Sequence, residues 1–416
     1  MKENINIALS PNSTAKDVKE AAKQLFLPWK WLAWRSGRNI SKLESEFCGY
    51  FKVPYAFALN SGRESLYAIL QALKFAKGDE IILQSFTCMV VVNSIVWNGL
   101  KPVYVDIDAS DYNMNPDEFE KKITKRTKVV MVQHTFGVPA NMKKIQEICK
   151  RRKLILIEDC AHAMGAKSNG KYVGTIGDIG FFSLGRSKVI SCVSGGMIVT
   201  KNEKYAGAIK EILKSSEYPR NLVTAKNLFH PIAMECIKKL YNKGVLGKVL
   251  LVGLQKLKLL TMEVEKSEKS GEFKCPYPLR MSNALSALAL YQFTKLDQFN
   301  THRRNLAQKY YNKLKSKKGI KVIDPNKYKG AIFLRYPVLM PTRKDMDAIL
   351  RKAKKSSIIL GDWYASPIAP PTCAMEKTFY NDGDCKVTED ICSRVVNLPT
   401  YNTLDLKQAE KILKLF

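Results

Sequence analysis

Histidine is scarce in this chain, with four residues in 416, and the ten cysteines include no Cys-x-x-Cys pair. Those shortages remove the usual donors of a zinc site, and the scattered cysteines give no disulfide framework. No metal is expected. No apolar run is long and charge-free enough to span a bilayer. The opening Met1-Lys2-Glu3-Asn4-Ile5-Asn6 lacks the apolar core of a secretory leader. A reduced, cytoplasmic setting is the expectation. The nucleotide loop Gly-x-x-x-x-Gly-Lys-Ser/Thr is missing, and so is the hydrolase elbow Gly-x-Ser-x-Gly. Acidic residues are the other deficit: 38 Asp and Glu face 68 Lys and Arg, for a formal charge of +30. Such a surplus draws nucleic acid, anionic membrane or phosphorylated small molecules. The basic residues are spread along the whole chain, with neither an arm nor a nucleic-acid motif. Nucleic acid is therefore not the expected partner.

What remains is ample for a large core, at 46% hydrophobic residues, and two domains are expected. After a Trp-rich stretch, Pro28 to Trp34, an amphipathic helix spans Ile40 to Phe51 with Leu43, Phe47 and Phe51 on one face. Strands and helices then alternate. Strands are expected at Ala56–Leu59, Glu80–Leu83, Pro102–Val105, Val129–Val132, Leu154–Ile157, Gly180–Ser183 and Gly196–Val199. Helices are expected at Ser65–Phe75, Met89–Trp97 and Met142–Arg151. This spacing predicts an α/β fold, a mostly parallel sheet covered by helices on both faces.

From about 205 to 275 the chain turns helical, lysine-rich and irregular. Within it, 245–260 is apolar with basic punctuation. One reading is a helix packed on its own domain or at a dimer interface. The other is an interfacial helix resting on anionic lipid. A long helical stretch from Ser282 to Leu314, a strand over Ala331–Val338 and a helix over Arg343–Lys354 make a smaller α+β unit. The division placed on the sequence is 1–275 for a large domain with an N-terminal arm, and 276–416 for a small one.

Chemistry concentrates at Glu158-Asp159, directly after an apolar strand, and at Lys188, a short way downstream among Ser and Gly. In open α/β sheets, sites form at the carboxyl ends of the strands. A buried acid there and a lysine nearby suit an aldehyde cofactor with a pyridine ring and a phosphate. The lysine forms an imine and the acid pairs with the ring nitrogen. Asp159 could instead pair with a lysine or cap a turn, and His162 could be an ordinary core histidine. Asn60-Ser61-Gly62-Arg63-Glu64-Ser65 joins a strand to a helix. It reads either as an anion site on a helix N-terminus or as a plain Ser61 cap.

These motifs resemble those of the DegT/DnrJ/EryC1/StrS family of pyridoxal-phosphate sugar aminotransferases. The likeness runs from Arg35 to the end, apart from the segment near 205–275. It includes Gly78-Asp79-Glu80-Ile81-Ile82, Lys101 to Asp108, Ile157 to Ala166, Gly177 to Ser183, Lys188, Gly195-Gly196, Arg280-Met281-Ser282 and Asn397-Leu398-Pro399. The resemblance implies fold type I, a homodimer with active sites at the interface, and pyridoxal 5'-phosphate as cofactor. Lys188 would carry the cofactor and shuttle a proton, and Asp159 would face the ring nitrogen. His162 would sit beside the phenolic oxygen, and Ser183 with Gly62, Arg63 and Glu64 would hold the phosphate. The implied reaction moves an amino group from an amino acid, glutamate, to a nucleotide-diphosphate keto-sugar, for amino-sugar and surface-polysaccharide synthesis.

Several positions depart from the family. Arg63 stands where Thr is usual, Cys88 where an aromatic stacks on the ring, and Pro278 where the partner subunit offers an Asn. Gly185-Arg186-Ser187 replaces Tyr-Pro-Thr. Lys30, Arg35, Arg38 and Arg280 are the candidate substrate contacts. Two alternatives stay open: a cofactor-dependent sugar dehydratase, expected to carry His in the lysine position, and a non-catalytic, cofactor-bearing regulatory or scaffold protein. Contact of 245–260 with the inner face of the membrane accompanies the second.

Overall fold

The computed structural model describes residues 5–9, 12–241, 245–273 and 277–416. Residues 1–4, within the stretch inspected for a leader, and the domain boundary placed at 275 lie outside the described residues.

The main sheet has seven strands. They are β1 (Tyr55–Leu59), β2 (Glu80–Gln84), β3 (Lys101–Val105), β4 (Thr127–Gln133), β5 (Ile155–Asp159), β6 (Ile179–Ser183) and β7 (Gly196–Thr200). The spatial order is β1-β7-β6-β5-β4-β2-β3. Six strands run parallel, and β7 runs against both of its neighbours. The cause is the link from β6 to β7, which contains no helix and turns the chain back instead of crossing it over. That link carries Lys188.

Ile81, Leu83 and Ile198 pack on one face with Leu66, Ile95 and Ile209, from three covering helices. Met197, Val199 and Phe182 pack on the other with Leu43 and Phe47, while Ile82, Val130 and Leu156 pack there with Ile145. Each strand buries both sides, so the segments read as apolar runs and not as alternating ones. A smaller antiparallel sheet has Arg335–Leu339 between Lys321–Val322 and Val395–Pro399. Tyr310, Tyr336, Val338, Leu398 and Ile412 form its core with the surrounding helices.

Two expectations needed correction. The helix expected over Ser282–Leu314 is two helices, Asn283–Phe293 and Leu296–Leu314. At the break the Thr294 hydroxyl donates to Tyr291 O (3.0 Å), and the Lys295 N–H bonds only three residues back, to Gln292 O (3.0 Å). Such tightening ends a helix. The strand expected over Ala331–Val338 starts at Arg335. The residues before it are diverted: the Ile332 and Leu334 N–H groups donate to Gly137 O and Phe136 O, at 2.9 and 2.8 Å.

The basic region is helical at Glu203–Ser215, Asn221–Tyr241, Leu246–Lys256 and Lys266–Lys269. Leu250, Leu251 and Leu254 pack against Ala233 and Ile237. Leu246, Val249 and Val252 stay exposed on the same helix. No described helix is long and apolar enough to cross a membrane.

Candidate active site

The carboxyl ends of β1, β4, β5 and β6 meet at one edge of the sheet, where a cavity of about 400 Å³ opens. Gly62, Cys88, Asp159, His162, Ser183 and Lys188 all line it. Residues 126 positions apart in sequence (188 less 62) are thus brought together, by strand order and by the contacts that hold the link between β6 and β7.

Lys188 sits on the link between β6 and β7, where no regular hydrogen-bond ladder holds the backbone. Buried side chains hold it instead. Asn12 Nδ2 donates to Lys188 O (2.5 Å), Arg303 Nη2 donates to Val189 O (2.6 Å), and the Ser191 N–H donates to Gln292 Oε1 (2.7 Å). Arg303 is fully buried, its remaining guanidinium bonds go to Asn12 and Asn300, and burial pulls its pKa down to about 9. The Lys188 amine lies 5.2 Å from the centre of the Trp363 ring. Burial lowers its pKa, against the opposing pull of Glu263, Cys88 and Asp159. A lysine amine depressed in this way is more readily a base and a nucleophile.

Asp159 ends β5 and is 3% exposed. Its Oδ1 accepts the Ala161 N–H at 2.9 Å, and burial raises its pKa despite that bond and the nearby Lys188 and His134. Such a carboxylate gains from a cationic N–H in the cavity. Glu158 next to it points the other way. Its carboxylate accepts the N–H groups of Gly174 (2.8 Å), Ile176 (2.7 Å) and Gly177 (2.6 Å), and lies 3.1 Å from His134 Nε2. His134 Nδ1 in turn accepts the Ala140 N–H, so this acid and histidine are committed to holding loops. His162 stacks on Trp363 with ring centres 5.2 Å apart, and its Nε2 lies 3.4 Å from the Tyr364 hydroxyl. Burial, then Lys188 and Arg335, hold it well below its ordinary pKa, as neutral imidazole.

Ser61 caps the helix Gly62–Leu73 through the Glu64 N–H, as the plain reading expects. The same geometry leaves Gly62 against Ser183, where a Cβ on Gly62 would come 2.8 Å from Ser183 Cβ. Only glycine lets the helix start approach β6 so closely. Glu64 turns away from the cavity: it accepts from Asn60 Nδ2 (3.3 Å) and the Ser61 hydroxyl (3.1 Å), and burial pushes its pKa up to about 8. Arg63 lines the cavity with its guanidinium paired to the Glu268 carboxylate and to Glu263 O.

The structure does not bring the four basic candidates to this cavity. Lys30, Arg35 and Arg38 are exposed, and Arg280 packs its guanidinium over the Tyr218 ring at 4.8 Å. Trp363, Tyr364, Glu263 and Gln133 line it without having been singled out from sequence. The aromatic pair arrives because Ile368–Ala369 pairs in parallel with Thr87–Cys88, a contact between distant two-residue strands. Cys88 offers no ring; Trp363 and Tyr364 from that loop line the cavity together with Phe181 of β6 and the His162 ring.

These observations decide whether pyridoxal phosphate fits. Among the described residues Asp159 makes no ion pair, though Lys188 is near enough to act on its charge, and His162 Nδ1 is buried without a hydrogen-bond partner. A depressed lysine amine stands between them and the Ser61–Gly62 helix start, whose N–H groups and positive dipole end suit a phosphate. The residues fit the cofactor.

Comparison with known proteins agrees. The sequence matches the DegT/DnrJ/EryC1/StrS aminotransferase family over residues 14–416. It is 29% identical over 402 residues to the GDP-perosamine synthase of Escherichia coli O157:H7, covering 96% of this chain and 94% of that one. Among solved structures, Helicobacter pylori PseC, an aminotransferase involved in the biosynthesis of pseudoaminic acid, matches with a TM-score of 0.77 at 21% identity, over 100% of this chain and 98% of that one. The Escherichia coli GDP-4-keto-6-deoxy-D-mannose-3-dehydratase with bound hydrated PLP matches with a TM-score of 0.76 at 20% identity, over the whole of both chains. At those identities the two structures speak to the fold alone. The chain belongs to the DegT/DnrJ/EryC1/StrS aminotransferase family, and pyridoxal phosphate is its cofactor.

Proposed function

We propose that this enzyme moves the amino group of an amino acid, glutamate, onto the keto carbon of a nucleotide-diphosphate sugar, within amino-sugar and surface-polysaccharide synthesis. The observation that carries the reading is the sharing of one cavity by Lys188 and Asp159, with the amine depressed and the carboxylate unpaired. The relative named GDP-perosamine synthase supports a nucleotide sugar as acceptor. Pyridoxal phosphate, when bound, supplies the electron sink that makes amino transfer between carbon skeletons feasible.

The chain's own residues would act as follows. Lys188 holds the cofactor by its amine. Once free, that amine takes a proton from the reacting carbon side and returns it, a role its lowered pKa favours. Asp159 keeps a proton on the ring nitrogen, and neutral His162 sets the orientation of the ring's oxygen side. Ser183 and the N–H groups of Gly62 and Arg63, at the helix start that Ser61 caps through the Glu64 N–H, seat the phosphate. Trp363 and Tyr364 wall the cavity and keep water out, in place of an aromatic at Cys88. The working unit is a homodimer, in which Lys30, Arg35, Arg38 and Arg280 are assigned to the substrate side of the partner subunit's site.

The test has two halves. Holoenzyme given glutamate alone should release 2-oxoglutarate in one equivalent. Nucleotide keto-sugars added afterwards should gain an amino group, seen by mass spectrometry. Release from no amino acid at all would sink the reading. The dehydratase alternative is disfavoured by lysine at position 188.

Peripheral attachment is proposed for the helix Leu246–Lys256, because Leu246, Val249 and Val252 are exposed beside Lys248 and Lys256. On this reading the enzyme is cytoplasmic and rests on the inner face of the membrane. Flotation with vesicles containing anionic lipid should carry the wild type upward and leave a Val249→Glu, Val252→Glu variant at the bottom. Equal behaviour of both would leave the exposed face to the dimer.

A further inference from the structure

Two cavity residues have no part in that scheme. Arg186 stands two positions before Lys188, and Glu263 comes from the segment that follows the helix Leu246–Lys256; both line the cavity. Their contact is poorly made. Arg186 Nε lies 3.6 Å from Glu263 Oε1, outside hydrogen-bond range, and this buried Nε has no hydrogen-bond partner among the described residues.

The neighbouring acid shows what a settled pair looks like in the same segment. Glu268 pairs with Arg63, its second oxygen accepts the Glu265 N–H at 2.8 Å, and its carbonyl accepts Asn93 Nδ2 at 2.7 Å. Glu268 is fastened by side chain and backbone alike. Glu263 is held at its backbone, where its carbonyl takes Arg63 Nη2 at 2.5 Å, and its carboxylate has one hydrogen bond with the Ser187 side chain. Burial pushes the Glu263 carboxyl up, but Arg186, Ser187, Arg335 and Lys188 outweigh that and hold it below its usual range. Its charge thus sits in a cationic corner, held by one hydroxyl and not by a paired guanidinium.

We propose that Arg186 is the receptor for the diphosphate of the nucleotide-linked substrate, and that the Glu263 carboxylate holds this place until the substrate displaces it. The inference rests on the nucleotide-sugar reading above. A guanidinium can offer a phosphate two parallel N–H bonds, a geometry the 3.6 Å contact with Glu263 does not reach. Displacement exchanges one anion for another, so the cationic corner is never left uncompensated. It also makes the corner selective, because a neutral sugar without phosphate could not evict the carboxylate.

The experiment is calorimetric titration of the holoenzyme with GDP, UDP, dTDP and inorganic pyrophosphate. The proteins are wild type, Arg186→Ala, Arg186→Lys, Glu263→Gln and the double variant Arg186→Ala, Glu263→Gln. Glu263→Gln should bind the best nucleoside diphosphate about three- to tenfold more tightly than wild type, and Arg186→Ala about tenfold more weakly. Arg186→Lys should recover part of the loss. The double variant should match Arg186→Ala, because the gain from Glu263→Gln needs the guanidinium. Pyridoxal phosphate titrated into the apo forms separates the two phosphate sources. An Arg186 effect confined to the cofactor would overturn the inference, and so would unchanged or weaker binding in Glu263→Gln. If no nucleoside diphosphate binds any of these proteins while the glutamate half-reaction proceeds, the nucleotide-sugar reading itself falls. Binding that ignores both residues removes only the present inference.

Discussion

Lys188→Ala is expected to lower amino transfer by about 10⁴-fold or more, since the variant loses both the covalent hold on the cofactor and the proton carrier. Among the described residues Lys269 is the other amine that lines the cavity. Arg63 and Arg186 offer guanidinium groups in place of an amine, and both are turned toward acids. A readout independent of turnover is available. After borohydride reduction and digestion, the wild type should carry the cofactor's mass on the peptide containing position 188, and the variant on none. Label recovered at another lysine would remove Lys188 from its assigned role. The fold should tolerate the change, because the loop is held through the backbone carbonyls at 188 and 189 and the N–H at 191, not through the amine.

Asp159→Asn should lower turnover by about 10²- to 10³-fold while leaving the protein at least as stable as the wild type. The two halves have one cause. Burial raises the pKa of this carboxyl above its ordinary 3.8, so the folded chain holds the proton more tightly than the unfolded chain does. Its contribution to stability therefore declines as pH rises past 3.8 through the folded value, and at neutral pH the charge is a burden in the absence of cofactor. An amide keeps the shape, keeps an oxygen for the Ala161 N–H, and removes that burden. What it cannot do is hold a proton on the ring nitrogen. Thermal melting of the apo proteins and turnover of the reconstituted ones should move in opposite directions. A melting temperature several degrees lower in Asp159→Asn would show that the carboxylate serves the fold and not the cofactor.

The legible parts of this molecule were those whose signals are local. Every main-sheet strand lies within two residues of its apolar run, because strands buried on both faces concentrate their hydrophobic residues. The carboxylate after β5 and the glycine after β1 announced themselves by position, as the ends of strands. The helix break at Thr294 was not legible, since threonine continues many helices and breaks this one by bonding a carbonyl in the turn before it. Nor was the start of the strand at Arg335, which depends on Phe136 and Gly137 drawing off the residues before it.

In the site, Glu64 was grouped with the phosphate residues because it neighbours Gly62. Helical geometry instead turns it toward its own cap, on Asn60 and Ser61. Trp363 and Tyr364 could not be anticipated at all. Their presence follows from pairing between two-residue strands that have no periodicity to detect. The basic candidates at 30, 35, 38 and 280 were chosen for charge alone, and within one subunit they lie outside the cavity.

The fastening of the Lys188 loop has a consequence for the order in which the enzyme can be made. All seven strands of the main sheet have been synthesised by residue 200, so the scaffold around the cavity is available early. The groups that hold the lysine's backbone come much later: Val189 and Arg303 are 114 positions apart, and Ser191 and Gln292 are 101 apart. Asn12 precedes the sheet, yet its carbonyl is held by Gln292 and by Asn402, 280 and 390 positions further on. A nascent or truncated chain can therefore possess the sheet and the acid while its amine still wanders. The closing contacts, being distant in sequence, carry the larger loop-closure cost and are expected late in folding.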